Sequence, residues 1–474
     1  MKFTNKIFQA ICALPASSNR RLIRFLESPY FNQSKLLLDL CKLLLEYKNQ
    51  DEEGFDRAAL WDQLQPGVAY DDVNFRKYCS ELLKLVEEFM AVENLQEHPE
   101  KKANHLLEYL VDHKVSPLYK SAIRKTRQRL QVKGYRTADY FYQSYLLERL
   151  YYKMKDFDVK LNVRANLEEI SGNLDFFYWL EKLKFYNAVL SQRKTGTQEY
   201  ELHFIDEIIG FLKGFPLEES PELALHVYTF LSLTDEENPE HYYAFREVLA
   251  SQLDQMPPEE AVEFIDSAMH YCVGRINKGD REFLTEYFGL LDDGIEKGVF
   301  ISNGELAPWR YNNAVAAALG LGKIDWAEQF IQQNKVHLPP ATRENTYAFN
   351  LARVYRFQGR FKDVLELLRD LEYEDIGYSL LSKRMVVMTY YDLDELDALE
   401  SFIESFRVFL NRHKDIPSQR RKSYLKWLKY VRQLTRLVPN DREKRNQLRQ
   451  EILDKKAVIG NAEWLLEKLD ELER

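Results

Sequence analysis

Glycine is scarce in this chain, 18 of 474 residues, and alternating runs of β-branched residues are rare. Both shortages argue against a sheet, whose strands need period-two patterning and whose hairpins lean on glycine. Cysteine is thin as well. Cys12, Cys41, Cys79 and Cys272 are far apart, no two form a Cys-x-x-Cys pair, and so large a chain needs no disulfide staples. They read as reduced core thiols in a reducing compartment. No run of about 18 apolar residues occurs, which excludes a membrane-spanning helix. The start, Met-Lys-Phe-Thr-Asn-Lys, opens an amphipathic helix with no uninterrupted apolar stretch behind it. The expectation is a cytoplasmic protein without a membrane partner.

Reactive signatures are missing too. The nine histidines are scattered, and His98, His105 and His113 stand seven and eight residues apart without a further ligand, so no zinc site is expected. Gly320-Leu321-Gly322-Lys323 has the letters of a phosphate loop but no preceding strand, upstream glycine or following Ser/Thr. Ser423-x-x-Lys426 matches a nucleophile pair by letters only, on a helix expected to present a basic surface. The sequence therefore predicts no catalytic centre, no metal and no cofactor, and a non-enzyme.

What is present suits helices. Hydrophobic content is 45% and aromatic content 13%, with 29 Tyr and 28 Phe, enough to fill a core in which ring edges carry polar tips. The length allows about three globular domains or one continuous array. The net charge of −9 excludes a generic nucleic-acid binder.

The clearest pattern runs from Trp309 to Phe406. Tyr311, Ala314, Val315 and Ala318 form one helical stripe before Gly322, and Ile324, Ala327 and Ile331 form another after it. Around Gly359 the stripes are Ala348, Leu351, Ala352 and Tyr355, then Phe361, Val364, Leu368 and Leu371. A third copy turns at Asp394, with Val386, Val387 and Tyr390 before it and Leu396, Leu399, Ile403 and Phe406 after it. The three turns are 37 and 35 residues apart. A hairpin of two amphipathic helices leaves one apolar edge open, and the next hairpin covers it, so the pattern must recur. Glycine at the turn tolerates the left-handed backbone that ends a helix. Pro339 and Pro340 stop the second helix of the first copy.

Over 309–406 the chain resembles the tetratricopeptide-repeat family. Ala352, Tyr355, Gly359 and Phe361 match its first-helix and turn positions, Ala327 its small second-helix position and Pro339 its terminal proline. The third copy departs at Lys383, Asp394 and Leu399. The resemblance implies an all-α, right-handed superhelix that binds partners and performs no reaction.

Elsewhere the periodicity predicts a helical bundle over 1–133. Phe3, Ile7, Phe8 and Ile11 open it, Ser18 and Ser34 cap its second and third helices, and the leucine-rich run 36–45 is placed at its centre. Helices over 56–64 and 72–90 invite a helix-turn-helix reading through Asn74, Arg76 and Lys77. Glu81, Glu87 and Glu88 oppose it, and an ordinary hairpin is preferred. Lys120, Arg124, Lys125, Arg127, Arg129 and Lys133 spread around more than one side of a helix, as solvated cations do. Irregular hairpins follow over 134–300, with Thr197 as a cap and a degenerate repeat turning at Gly279. Repeats of the tetratricopeptide kind occupy 301–406, and 407–474 holds a basic helix and a capping helix. Between 407 and 456 stand 16 Lys/Arg against 5 Asp/Glu, a net of +11 that leaves −20 for the rest. Within the basic helix Tyr424, Trp427, Leu428, Val431, Leu434 and Val438 form the buried stripe. Lys422, Lys426, Lys429 and Arg436 form the opposite face, the polar outer side that a terminal repeat needs or a docking surface for an acidic protein or nucleic acid.

Two candidate surfaces result. Asn313 and Asn350 share one repeat position, with Arg353, Arg356 and, from the next repeat, Arg384 close by. In carboxylate-gripping tetratricopeptide proteins an Asn at this position works with basic neighbours on an acidic peptide end; here the family's paired lysines are absent, and arginine forks suit a carboxylate by bidentate bonding. The leading expectation is a scaffold holding a protein or peptide, one with an acidic or carboxylate-bearing segment, in that groove. A peptide- or ligand-sensing regulator with the N-terminal bundle as effector is the second reading. A nucleic-acid-associated factor acting through Lys422, Lys426, Lys429 and Arg436 is the third.

Overall fold

The computed structural model describes residues 6–49, 56–131, 134–154, 165–193, 200–369, 376–437 and 441–472. Phe3, Thr197, Leu371 and Val438, which the sequence assigns to stripes or caps, and Lys133 of the scattered basic run lie outside them. Among the described residues the chain is all-α, with twenty-three α-helices and a single hairpin of two-residue strands. That hairpin, Ile301–Ser302 against Glu305–Leu306, departs from the expectation of no strand. Asn303 and Gly304 both take positive φ, the two-residue turn that Asn-Gly favours. By contacts the chain divides into two compact units, Met1–Lys184 and Phe185–Arg474.

Two cores stand out among the described residues of the first unit. In one, the Lys35–Asn49 helix touches the helices Lys6–Ala13, Asn19–Glu27, Arg57–Leu64 and Asp72–Glu97. Its Leu37, Leu40, Cys41, Leu44 and Leu45 are buried, as an apolar run on several faces requires. The cap at Ser18 is not formed by its side chain; its Oγ accepts from Arg21 instead. Asn74 donates to Asp71, and Arg76 pairs with Asp72 at 2.6 Å. The residues of the helix-turn-helix reading are thus occupied by neighbouring carboxylates. The second core joins Leu107, Tyr119 and Ile123 to Leu147 and Leu150. The Ala138–Met154 helix, assigned by sequence to the following hairpins, therefore shares apolar packing with residues 99–131.

In the second unit most packing is between sequence neighbours. From Pro258 to Thr435 each helix packs on the next, and Pro308–Gly320 also touches Arg343–Phe357, the first helix of the following hairpin. The turns explain this regularity. At Gly279, Gly322, Gly359 and Asp394 the backbone is left-handed, with φ of 99°, 72°, 73° and 59°. At each, the next residue's N–H reaches back five residues: Asp280 to Arg275 O, Lys323 to Ala318 O, Arg360 to Tyr355 O and Glu395 to Tyr390 O. The turn residue itself bonds three back, to Ile276, Leu319, Arg356 and Tyr391. This double closure satisfies the last helical carbonyls and fixes the angle at which the second helix leaves. Asp394 does a glycine's task with a Cβ attached.

The expected stripes are buried at Tyr311, Ala314, Val315, Ala318, Ala327, Ile331, Leu351, Ala352, Val364, Leu368, Val386, Val387, Leu399, Ile403 and Phe406, whereas Leu396 is exposed. Lys383, at an apolar position, lays its Nζ 4.7 Å from the Phe409 ring centre, and burial lowers its pKa. Cys41, Cys79 and Cys272 are buried free thiols; Cys12 is exposed, contrary to the expectation that all four lie in the core. Burial pushes the Cys41 and Cys272 thiols up to about 12, which keeps them protonated and unreactive. No described helix is long and apolar enough to cross a membrane.

Candidate functional site

A cavity of about 380 Å³ opens among the first helices of three successive hairpins. Pro308–Gly320 contributes Asn312, Asn313 and Ala316; Arg343–Phe357 contributes Phe349, Arg353, Arg356 and Phe357; Ile376–Asp392 contributes Leu381, Arg384, Met385 and Met388. Asn461, at the head of the Ala462–Glu471 helix, completes the lining. Residues one and two turns apart on each helix share a face, and the repeated turns bring those three faces to one place. Four of the five groove residues expected from sequence, Asn313, Arg353, Arg356 and Arg384, are on this wall.

The fifth, Asn350, stands behind it. It is 0% exposed and does not line the cavity. Its Nδ2 donates to Asn312 Oδ1 and, at 2.8 Å, to Thr346 O. Its Oδ1 accepts from Arg353 Nη1 at 3.2 Å, and the same nitrogen donates to Asn312 O at 3.0 Å. Asn350 thus holds the guanidinium of Arg353 and is closed to a partner. Asn312, one residue from the expected Asn313, is the polar centre that sequence reasoning missed: its Nδ2 donates to Tyr378 Oη. Asn313 is hydrogen-bonded to Tyr287, which counteracts in part the rise in that phenol's pKa caused by burial.

The electrostatics are unbalanced. Arg356 donates to Asp392 at 2.5 Å, and Lys468 reaches the other oxygen of that carboxylate at 2.9 Å. The Asp392 side chain is 5% exposed, so this is a shielded triad. Arg353 and Arg384 face no carboxylate among the described residues, and Arg384 makes no hydrogen bond to a protein group there. Burial, with Arg384 adding repulsion, pulls the Arg353 pKa down to about 10. Burial also lowers that of Arg384, with Arg356 and Arg420 adding to the effect. Guanidinium does not release its proton at neutral pH, so both stay charged while half-buried. Around them stand Phe349, Phe357, Leu381, Met385 and Met388, apolar groups that weaken screening.

The second expected surface is built differently. Lys422, Lys426 and Lys429 are exposed along the Ser418–Thr435 helix, and Arg436, exposed as well, caps its C-terminal end. Lys422 and Lys426 border a shallow cavity of about 420 Å³ with Arg420, Ser423, Pro417 and Val458; Lys429 and Arg436 do not. The inner stripe of Tyr424, Trp427, Leu428, Val431 and Leu434 is buried against the chain's last helices. Among the described residues no group of His, Cys, Asp and Glu is placed to hold a metal ion.

No protein-family model, curated protein or solved structure matches the chain.

Proposed function

We propose that the chain is a non-enzymatic scaffold, a tetratricopeptide-like right-handed α-solenoid that grips an acidic or carboxylate-bearing segment of a partner protein or peptide in the Arg353–Arg384 cavity. The observation that carries this reading is the pair of half-buried guanidinium groups that face no carboxylate among the described residues, on a wall drawn from three successive hairpins. A buried cation left unpaired lowers stability, and such a cost persists where a ligand supplies the missing charge. The four equivalent turns support the solenoid, because a repeated hairpin geometry stacks with a repeated rotation. A cytoplasmic setting accords with the buried free thiols.

The test is binding of a peptide library in two forms, free-acid and amidated at the C-terminus. Free-acid peptides should be retained and their amidated or neutral counterparts lost. Retention that ignores both the end group and the Arg353→Met/Arg384→Met double substitution would reject the site. The exposed row at Lys422, Lys426, Lys429 and Arg436 supports nucleic-acid association as a second reading. Salt-dependent retention on a polyanion that disappears on charge reversal of Lys422, Lys426 and Lys429 would favour it.

A further inference from the structure

The charge count at the cavity says more than "anion". Four cations, Arg353, Arg356, Arg384 and Lys468, meet two carboxylates, Asp392 and Glu471, the latter 2.8 Å from Lys468 Nζ. Among the described residues two positive charges on the cavity wall, Arg353 and Arg384, are left without a carboxylate, and Arg420 adds further positive charge near Arg384. A single carboxylate would leave one desolvated guanidinium unanswered, at the cost that attends any buried unpaired charge. A phosphoryl monoester at neutral pH carries close to two charges and three acceptor oxygens, and two arginine forks can share such a group. The rest of the wall limits what carries it. Phe349, Phe357, Leu381, Met385 and Met388 offer rings and thioethers, which suit a flat apolar body, and about 380 Å³ admits one substituted ring, within the size range of small-ligand sites.

Resting on the reading that this cavity is the binding site, we infer that its ligand is an aromatic phosphate monoester, with the phosphoryl oxygens on Arg353 and Arg384 and the ring against Phe349, Met385 and Met388. Asn312, Asn313 and Asn461 share the wall and are held there by Tyr378, Tyr287 and Met388. A phosphotyrosine of the partner and a free aryl phosphate present the same chemistry.

Phenyl phosphate and phenyl sulfate separate charge from shape, being near-isosteric esters with close to two charges and one. Calorimetric titration of the full chain at pH 7.5 and fixed ionic strength should find phenyl phosphate at least about tenfold tighter, the equivalent of about 1.4 kcal/mol. In Arg384→Gln that preference should fall to within about twofold; in Arg384→Lys, which keeps the charge but loses the fork, it should be intermediate. Thermal melts of each variant confirm folding. Equal affinity for the two esters, or a preference that survives Arg384→Gln, overturns the inference. Absence of binding by either ester, beside Arg353-dependent retention of free-acid peptides, overturns it while leaving the scaffold reading intact. If a phosphotyrosine peptide binds tighter than phenyl phosphate, the partner protein is the source; if it binds no tighter, a free ester is, and both results support the aryl phosphate.

Discussion

Two basic surfaces of this chain look alike in sequence and differ in physics. Lys422, Lys426, Lys429 and Arg436 stand exposed on one helix and its C-terminal cap, where water and salt screen them and each charge costs almost nothing. Arg353 and Arg384 stand half-buried on two helices, facing no carboxylate among the described residues, and burial lowers the pKa of each. An exposed row needs no partner to account for it. The inner pair is where a partner is proposed.

The sharpest way to break this contrast is to neutralise each set. Arg353→Met with Arg384→Met should weaken the best free-acid peptide at least about 100-fold, because two charge-assisted contacts are lost together; fluorescence anisotropy at 0.15 M salt measures it. The same assay on Asn350→Ala should show a loss of about tenfold. The residue cannot touch the ligand but holds the Arg353 guanidinium, and one hydrogen bond to a charged group is worth about 1.5–3 kcal/mol. Reversing Lys422, Lys426 and Lys429 to Glu should change peptide affinity by less than about twofold, the size expected of screened surface charge.

The scaffold beneath the inner pair can be probed separately. Gly359→Ala places a Cβ on a backbone with φ of 73° and should destabilise the second unit by about 1 kcal/mol. Asp394→Gly relieves the same conformation at φ of 59° and should stabilise it by a smaller amount. Denaturant melts compare the two, and opposite signs are the result that confirms the equivalence of the turns.

Much of this was legible in the residues. The turns at Gly322, Gly359 and Asp394 follow from the spacing of small and large side chains, and even Asp394, where the glycine is missing, takes the left-handed backbone. Arg353, Arg356 and Arg384 were placed together because helical periodicity and the repeat length fix their faces. Asn350 was misjudged in role: repeat position gives a face to within about 100° per residue, too coarse to separate a wall residue from the one that braces it. Asn461 was invisible for another reason. It enters from the chain's last helix, and no period relates that segment to the cavity. The short hairpin at Asn303-Gly304 carries a turn dipeptide but strands of only two residues each, too short for a period-two pattern to mark.

The central claim is that the inner arginines are held at a cost for the sake of an anion. Thermal melts of the wild type and Arg384→Met test it most directly, run with and without inorganic phosphate at matched ionic strength. The expected result is a variant that melts about 1–3 °C higher in chloride, since an unpaired desolvated charge is gone, and that no longer gains stability from phosphate as the wild type does. A variant that melts lower and still responds to phosphate would contradict it.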